Sequence, residues 1–236
     1  MSRLLCFAVQ GVGEVREGDD LVTLFLDALT QQGDTLETGD LVTVTSKVVS
    51  KSEGRVIAFD GTTTHRDAIV EAESVRTLRR RGPLRITETA HGFVNANAGV
   101  DFSNTDDGTA VLLPADPDRS ARRFRGDLSR RTGLEVAVVI TDTMGRTWRN
   151  GVTDVAIGSA GLRPILDLRG TYDANGRLLE ATEVAIVDEV AGAVNLVLSK
   201  DANTPFAVVR GLDARFFGAG SVGDTIVRSA TGDLFR

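Results

Sequence analysis

Apolar and polar positions fall into short blocks along the whole chain. Residues 3–9 (RLLCFAV) form an apolar run that predicts a first strand, and a glycine-bearing loop, QGVGEVREG, follows. DLVTLFLDALTQQ repeats apolar residues with helical spacing; Asp19 and Asp20 stand at its start as caps and Gly33 at its stop. After the turn ETGD, the β-branched block LVTVT (41–45) predicts a strand, and RVIAF (55–59) another. Residues 63–81 (TTHRDAIVEAESVRTLRRR) read as one helix that begins at a threonine cap and ends in basic residues, as the helix dipole favours. Gly82-Pro83 breaks it, and LRITET (84–89) is a strand. The segment 90–108 (AHGFVNANAGVDFSNTDDG) is dense in turn formers, and a long irregular segment of this kind usually carries function.

VLLP is a short strand, and DPDRSARRFRGDLSRRTG a very polar helix. EVAVVIT (135–141) is the clearest buried strand, ending at Asp142. DTMGRTWRNGVTD reads as a polar loop, YDANGR as a hairpin turn, residues 180–199 as a mostly buried helix and PFAVVRG as a late strand. There is no linker, no low-complexity run and no internal repeat. Helices and strands mix without strict alternation, which predicts an α+β fold of mixed β-sheets with flanking helices rather than a doubly wound one.

Composition narrows the chemistry. At 236 residues the chain can build a sizeable core, and 42% hydrophobic with 25% charged residues excludes disordered, collagen-like and coiled-coil classes. No apolar run approaches the ~20 residues that span a bilayer, and the N-terminal apolar stretch is too short for a signal peptide. The expected location is the cytoplasm, with no membrane partner. A net charge of −6 leaves no nucleic-acid footprint. A single cysteine, Cys6, and two histidines, His65 and His91, rule out an internal disulfide and a cysteine zinc site. Any metal site must rest on oxygen ligands, which favours magnesium or manganese.

Only three lysines occur, Lys47, Lys51 and Lys200, against 24 arginines. A bias toward arginine accounts for the 24 but not for where the lysines sit. Two of them stand four residues apart in TSKVVSKSEG, and a compact ammonium reaches a phosphate as a point charge in a way that guanidinium does not.

Several motifs fail. No lysine follows a glycine, so there is no P-loop. A literal GxGxxG at Gly218, Gly220 and Gly223 has too few residues after it for a dinucleotide-binding unit and reads as a flexible turn. Neither histidine lies near a GxSxG elbow, which removes a serine hydrolase. RFRGDLSRR reads as a solvated helix face.

Three pieces fit together chemically. Asp101 sits in a glycine-rich loop, and Asp142-Thr143 ends a buried strand, where α/β proteins often handle phosphates and divalent cations. Taken singly, each aspartate is equally at home as a turn or cap residue. The third piece is the lysine pair, whose spacing of four puts Lys47 and Lys51 on one face of either a strand or a helix, with Ser46 and Ser50 as hydroxyl neighbours. Together these can bind a polyphosphate with a bridging metal. The residues by themselves do not separate hydrolysis from ligation.

The blocks VQGVGEVREGDDL, LVTVTSKVVSKSEGRV, ITETAHGFVNANAGVDFSN, VVITDTMGRTWRNGVTDVAIG and ATEVAIVDEVAGAVNL, followed by VVRG, resemble the coenzyme F420:L-glutamate ligase (gamma-glutamyl ligase) family, in order, from about residue 9 to residue 211. The resemblance implies an enzyme, a GTP-hydrolysing acid–amino-acid ligase. It joins L-glutamate, and then further gamma-linked glutamates, to the deazaflavin precursor of coenzyme F420 through an acyl phosphate. It implies GTP as a substrate and Mg2+ or Mn2+ at two sites, and it allows a potassium ion. Position by position, Val12, Gly13, Glu14 and Val15 match the family's first nucleotide-contacting turn. Ser46, Lys51 and Asn104 match further nucleotide contacts. Asp101 and Asp142 match ligands of one metal, and Thr143 a ligand of the other. Lys51, Asp142 and Lys47 are the implied catalytic groups. Glu183, Asp188, Glu189 and Lys200 receive no role.

The family commonly has proline where Gly13 stands, which predicts a looser first turn. The resemblance further implies a homodimer and one ligase domain over residues 1–236, divided into two lobes of about 1–84 plus 183–236 and 85–182. No C-terminal reductase domain of the kind some relatives carry is expected. A metal-dependent phosphohydrolase and a non-catalytic nucleotide-binding protein are the competing readings.

Overall fold

The computed structural model describes residues 3–102, 108–198, 203–229 and 231–233. It is an α+β fold built on a five-stranded mixed sheet, as the blocks predict. In chain order its first elements are β1 (Leu5–Val9), α1 (Leu21–Gln32), β2 (Leu41–Thr45), α2 (Ser46–Ser52), β3 (Val56–Ala58) and α3 (Thr63–Ala72). Next come β4 (Ser74–Arg81), β5 (Leu84–Thr89), β6 (Val94–Ala96), β7 (Thr109–Val111) and α4 (Pro117–Thr132). The chain continues with β8 (Ala137–Arg146), β9 (Arg149–Ala160), β10 (Ile165–Asp167), β11 (Glu183–Ala185), α5 (Ile186–Val194), β12 (Phe206–Arg210) and α6 (Val222–Thr225). The main sheet runs β1-β12-β2-β8-β9; β2 and β8 are parallel and every other pair is antiparallel.

Its central strands β2 and β12 and the first half of β8 are nearly continuous apolar runs because the sheet is covered there on both faces. α1 begins at Asp20, whose carboxylate accepts the Val22 and Thr23 N–H groups, and ends at Gly33 in the left-handed region. Asp19 does not cap the helix; it accepts the Arg16 N–H. α1 and α4 deliver Phe25 and Phe124 to Phe206 of β12, with ring centroids 5.5–6.1 Å apart. α4 is polar outside but buries Ala121, Phe124 and Leu128. A second apolar cluster joins Ile69 and Val70 of α3 to Ala98, Val100, Ala110 and Leu112.

Three segments depart from expectation. The helix expected over 63–81 ends at Ala72, and Ser74–Arg81 is instead the edge strand of the sheet β4-β5-β6. Exposed arginines mimic a polar helix face, yet they also protect a strand edge. The polar stretch 142–154 is no loop: β8 runs on to Arg146 and turns into β9. Its outer half is exposed on both faces and so lacks the apolar signal of its inner half. The long helix expected over 180–199 is shorter; residues Glu183–Ala185 pair with β10, and only Ile186–Val194 is helical.

The GxGxxG turn is closely packed against the Arg163–Pro164 turn, not loose. A Cβ on Gly220 would stand 2.4 Å from Pro164 Cδ, and one on Gly218 would stand 2.6 Å from Arg163 Nε. At its end, the Asp118 carboxylate accepts N–H bonds from Val222 (2.9 Å) and Gly223 (3.0 Å), and also from Ser159 of β9 (2.8 Å). Gly158 lets β9 and α4 approach this closely, since a Cβ there would lie 2.4 Å from the Pro117 carbonyl. Gly158→Ala is therefore expected to destabilise the protein by about 1–3 kcal/mol, measured by chemical denaturation; a change below about 0.5 kcal/mol would refute this packing argument.

Candidate functional site

The site grows from the parallel pair. β2 and β8 run side by side with Thr45 opposite Thr141 as their last partners. The next residues, Ser46 and Asp142, thus emerge together where the parallel pairing ends, Ser46 just past β2 and Asp142 within β8, which runs on paired with β9 alone. Ser46 Oγ donates to Asp142 Oδ1 at 2.7 Å. The chain after β2 turns at once into α2, which settles the alternative left by the spacing: Lys47 and Lys51 are one helical turn apart on a helix. A register shift between Ile140 and Thr141, with Ile157 the extra residue of β9, places a bulge in the β8–β9 pairing beside the site.

A cavity of about 570 Å³ opens here. Gly13, Glu14 and Val15 line one side, Ser46, Lys47 and Lys51 another, and Asp101, Asp142 and Thr143 a third. Val12 does not reach the cavity; it is buried with Val15, and the two pin the first turn on either side of Gly13. Asn104 lies outside the described residues, as does Lys200. Glu183, Asp188 and Glu189 do not line the cavity: Glu183 pairs with Arg169 at 3.1 Å, Asp188 accepts the Ala156 N–H at 2.9 Å, and Glu189 is exposed.

The ionic contacts link the elements across the cavity. Lys51 Nζ bonds the Glu14 carboxylate, which ties α2 to the first turn. Lys47 Nζ is 2.9 Å from Asp101 Oδ2. Thr143 Oγ1 donates to Asp154 Oδ1 at 2.7 Å, its direct cross-strand partner in the β8–β9 hairpin. Asp154 lines the cavity and is buried, and no sequence signal points to it because its segment reads as a loop. Thr141 is also new here, a cavity-lining residue whose buried hydroxyl has no hydrogen-bond partner among the described residues. Asn195, Asn203 and Thr204 complete the far wall.

The electrostatics have a definite sense. Among the described lining residues, four carboxylates (Glu14, Asp101, Asp142, Asp154) face two ammonium groups (Lys47, Lys51). Burial pushes the Asp142 carboxyl up to about 6, against the bonds from Ser46 and the Thr143 N–H, and the neighbouring Asp154 and Asp101 carboxylates push the same way. A polyanion does not enter such a cavity unless cations accompany it. Among the described residues no three His, Cys, Asp or Glu side chains converge on one point. The donors at hand, Asp101, Asp142 and the Thr143 hydroxyl, are hard oxygen ligands that fit a divalent cation whose remaining positions come from phosphate oxygens and water. Among the described residues no helix is long and apolar enough to cross a membrane.

The family model for F420-0:gamma-glutamyl ligase matches residues 11–211. The chain is 42% identical over 219 residues to the coenzyme F420:L-glutamate ligase of Methanothermobacter thermautotrophicus, covering 86% of this chain and 87% of that one. It is 41% identical to the enzyme of that name from Methanopyrus kandleri, with 94% of each chain covered. The Haloarcula marismortui enzyme of the same name is 37% identical, with 98% of this chain and 95% of the relative covered.

Proposed function

Because the chain belongs to the F420-0:gamma-glutamyl ligase family, we propose that it is a GTP-dependent ligase that adds L-glutamate to the deazaflavin precursor of coenzyme F420, and then further glutamates through gamma linkages. The observation that carries this reading is the cavity itself: lysines and carboxylates from separate elements face each other across about 570 Å³, with the acids in excess. Such a lining suits a nucleoside triphosphate that arrives with Mg2+ or Mn2+ and suits a bare phosphate poorly.

A carboxylate oxygen of the acceptor attacks the γ-phosphorus of GTP, forming an acyl phosphate as the bond to GDP breaks. The amine of L-glutamate then attacks the acyl carbon. The C–O bond to phosphate breaks, phosphate leaves, and the amine proton is lost to solvent or to a nearby base. Lys51 and Lys47 offset charge on the phosphoryl oxygens, and Ser46 and the first turn hold the triphosphate in line. Asp101, Asp142 and Thr143 would hold the divalent cations, which when bound neutralise charge developing on the phosphate oxygens. The acyl phosphate must be kept from water until the amine attacks. A homodimer in the cytoplasm belongs to the same reading; the mass of the protein in solution checks the first part.

Two measurements test it. GDP should be released only when deazaflavin acceptor and L-glutamate are both present; release in their absence would favour a phosphohydrolase instead. Cation affinity should also depend on pH. Asp142 must ionise to act as a ligand and holds its proton up to about pH 6. Affinity for Mn2+ alone is therefore expected to be flat above pH 7 and to fall about tenfold for each unit below 6. A flat titration down to pH 5 would remove Asp142 from the ligand set.

A further inference from the structure

The three-stranded sheet β4-β5-β6 has one face covered by α3 and an opposite, more open face on which Leu84 and Val94 are exposed and Ile86 and Glu88 partly covered. α3 packs on the covered side, where its Asp67 bonds Arg80 at 3.1 Å and Arg85 at 2.5 Å, and where Thr87 and Asn95 are buried. Cross-strand partners share a face. The partners Arg79, Ile86 and Ala96, with Arg81 opposite Leu84 and Arg76 opposite Glu88 and Val94, therefore lie on the other side. A register shift between Thr77 and Arg79 keeps Arg76, Arg79 and Arg81 in one row despite their uneven spacing. Beside that row Leu84 and Val94 are 43% and 40% exposed. Ala96, at the far end of the same face, lines the site cavity. The arginine row thus stands two strands from the cavity wall, about 10 Å away.

The three arginines are not equally committed. Arg76 is held by Glu88 at 2.6 Å. Arg79 donates to the Leu78 carbonyl at 2.7 Å, and among the described residues no carboxylate pairs with Arg79 or Arg81. Guanidinium groups on a rigid strand suit carboxylates because the planar fork is already oriented. Resting on the ligase reading above, we propose that Arg79 and Arg81, on the open face of β4-β5-β6, bind the glutamyl carboxylates of an acceptor that already carries one or more glutamates. Only the terminal carboxylate of such an acceptor reacts, so the others must leave the cavity. The acids lining the cavity repel them, and the arginine row attracts them.

The test is calorimetric binding of deazaflavin acceptors bearing no, one and two glutamates, which needs no turnover. Wild type is expected to bind more tightly with each glutamate added, and the gain should shrink as salt is raised. Arg79→Gln/Arg81→Gln should bind the glutamate-free acceptor as wild type does and the two-glutamate acceptor about five- to tenfold more weakly. Arg122→Gln, an exposed arginine of α4, is the control and should change neither. A double variant that weakens all three acceptors equally, or none of them, overturns the proposal. So does one that changes the mass of the protein in solution without the selective loss, because a second copy of the chain would then cover this face. Failure of the ligase reading looks different: wild type would bind none of the three acceptors, and this proposal would fall with it.

Discussion

Asp142→Asn is expected to abolish ligation while making the metal-free protein more stable. The two effects share one cause. Asp142 stands within β8, just past its last partner on β2, near Asp154 and Asp101, and burial raises its carboxyl from 3.8 to about 6. A folded value above the unfolded one means that the fold favours the protonated form. The cost of ionisation is absent below about pH 4, grows through the interval up to about 6, and is complete at pH 7. A shift of this size corresponds to about 2–3 kcal/mol. Asparagine keeps an oxygen to accept the Ser46 hydroxyl and has no proton to lose. The variant should therefore melt several degrees higher than wild type at pH 7.5 without metal, and the difference should vanish near pH 4. Adding Mn2+ should stabilise wild type and not the variant. Turnover should fall on the order of 10³-fold. A variant that is less stable at pH 7.5, or one that keeps more than a tenth of the activity, would contradict this account of the site.

The second large effect is expected at Lys51. This ammonium joins α2 to the first turn through Glu14, and it is one of two positive groups described in a cavity lined by four carboxylates. Lys51→Met leaves Glu14 without its partner and makes the cavity more negative. Activity should drop about 10²- to 10³-fold, with a rise in the KM for GTP. Lys51→Arg should rescue little, since the guanidinium is larger and planar where a compact charge is needed. Glu14→Gln, which removes the tether but keeps the charge of Lys51, should cost about tenfold or less. If Glu14→Gln proves as damaging as Lys51→Met, then Lys51 acts only by holding the first turn. The pair of variants thus separates a phosphate-facing role from a positioning one.

What the sequence reveals of this molecule follows the water. Strands buried on both faces, such as Leu41–Thr45 and the first half of Ala137–Arg146, announce themselves as apolar runs, and helices with a sharp cap and a glycine stop, such as Leu21–Gln32, are plain. Where a strand leaves the core the apolar pattern goes with it. The outer half of the β8–β9 hairpin is exposed on both faces and looks like a loop, and Ser74–Arg81 looks like the end of a helix because an edge strand is guarded by charge. The residues Gly13, Glu14, Ser46, Lys51, Asp101, Asp142 and Thr143, which the resemblance names, line one cavity. The resemblance does not name Asp154 and Thr141. The place of Asp154 depends on which residue of β9 faces Thr143, and that of Thr141 on where the parallel pairing with β2 ends; neither is written in local composition. Gly13 shows a subtler limit. Its freedom predicts a loose turn, but Val12 and Val15 are both buried, and the Glu14–Lys51 pair fastens the turn from the cavity side.

The most direct test of the central claim is a mass measurement on the product. Purified protein is incubated with the glutamate-free deazaflavin acceptor, L-glutamate, GTP and Mn2+ or Mg2+. The account predicts acceptor heavier by one or more glutamyl units, formed with stoichiometric GDP and absent when metal is removed. Cleavage of GTP with no gain in acceptor mass would contradict it and mark the protein as a phosphohydrolase built on the same residues.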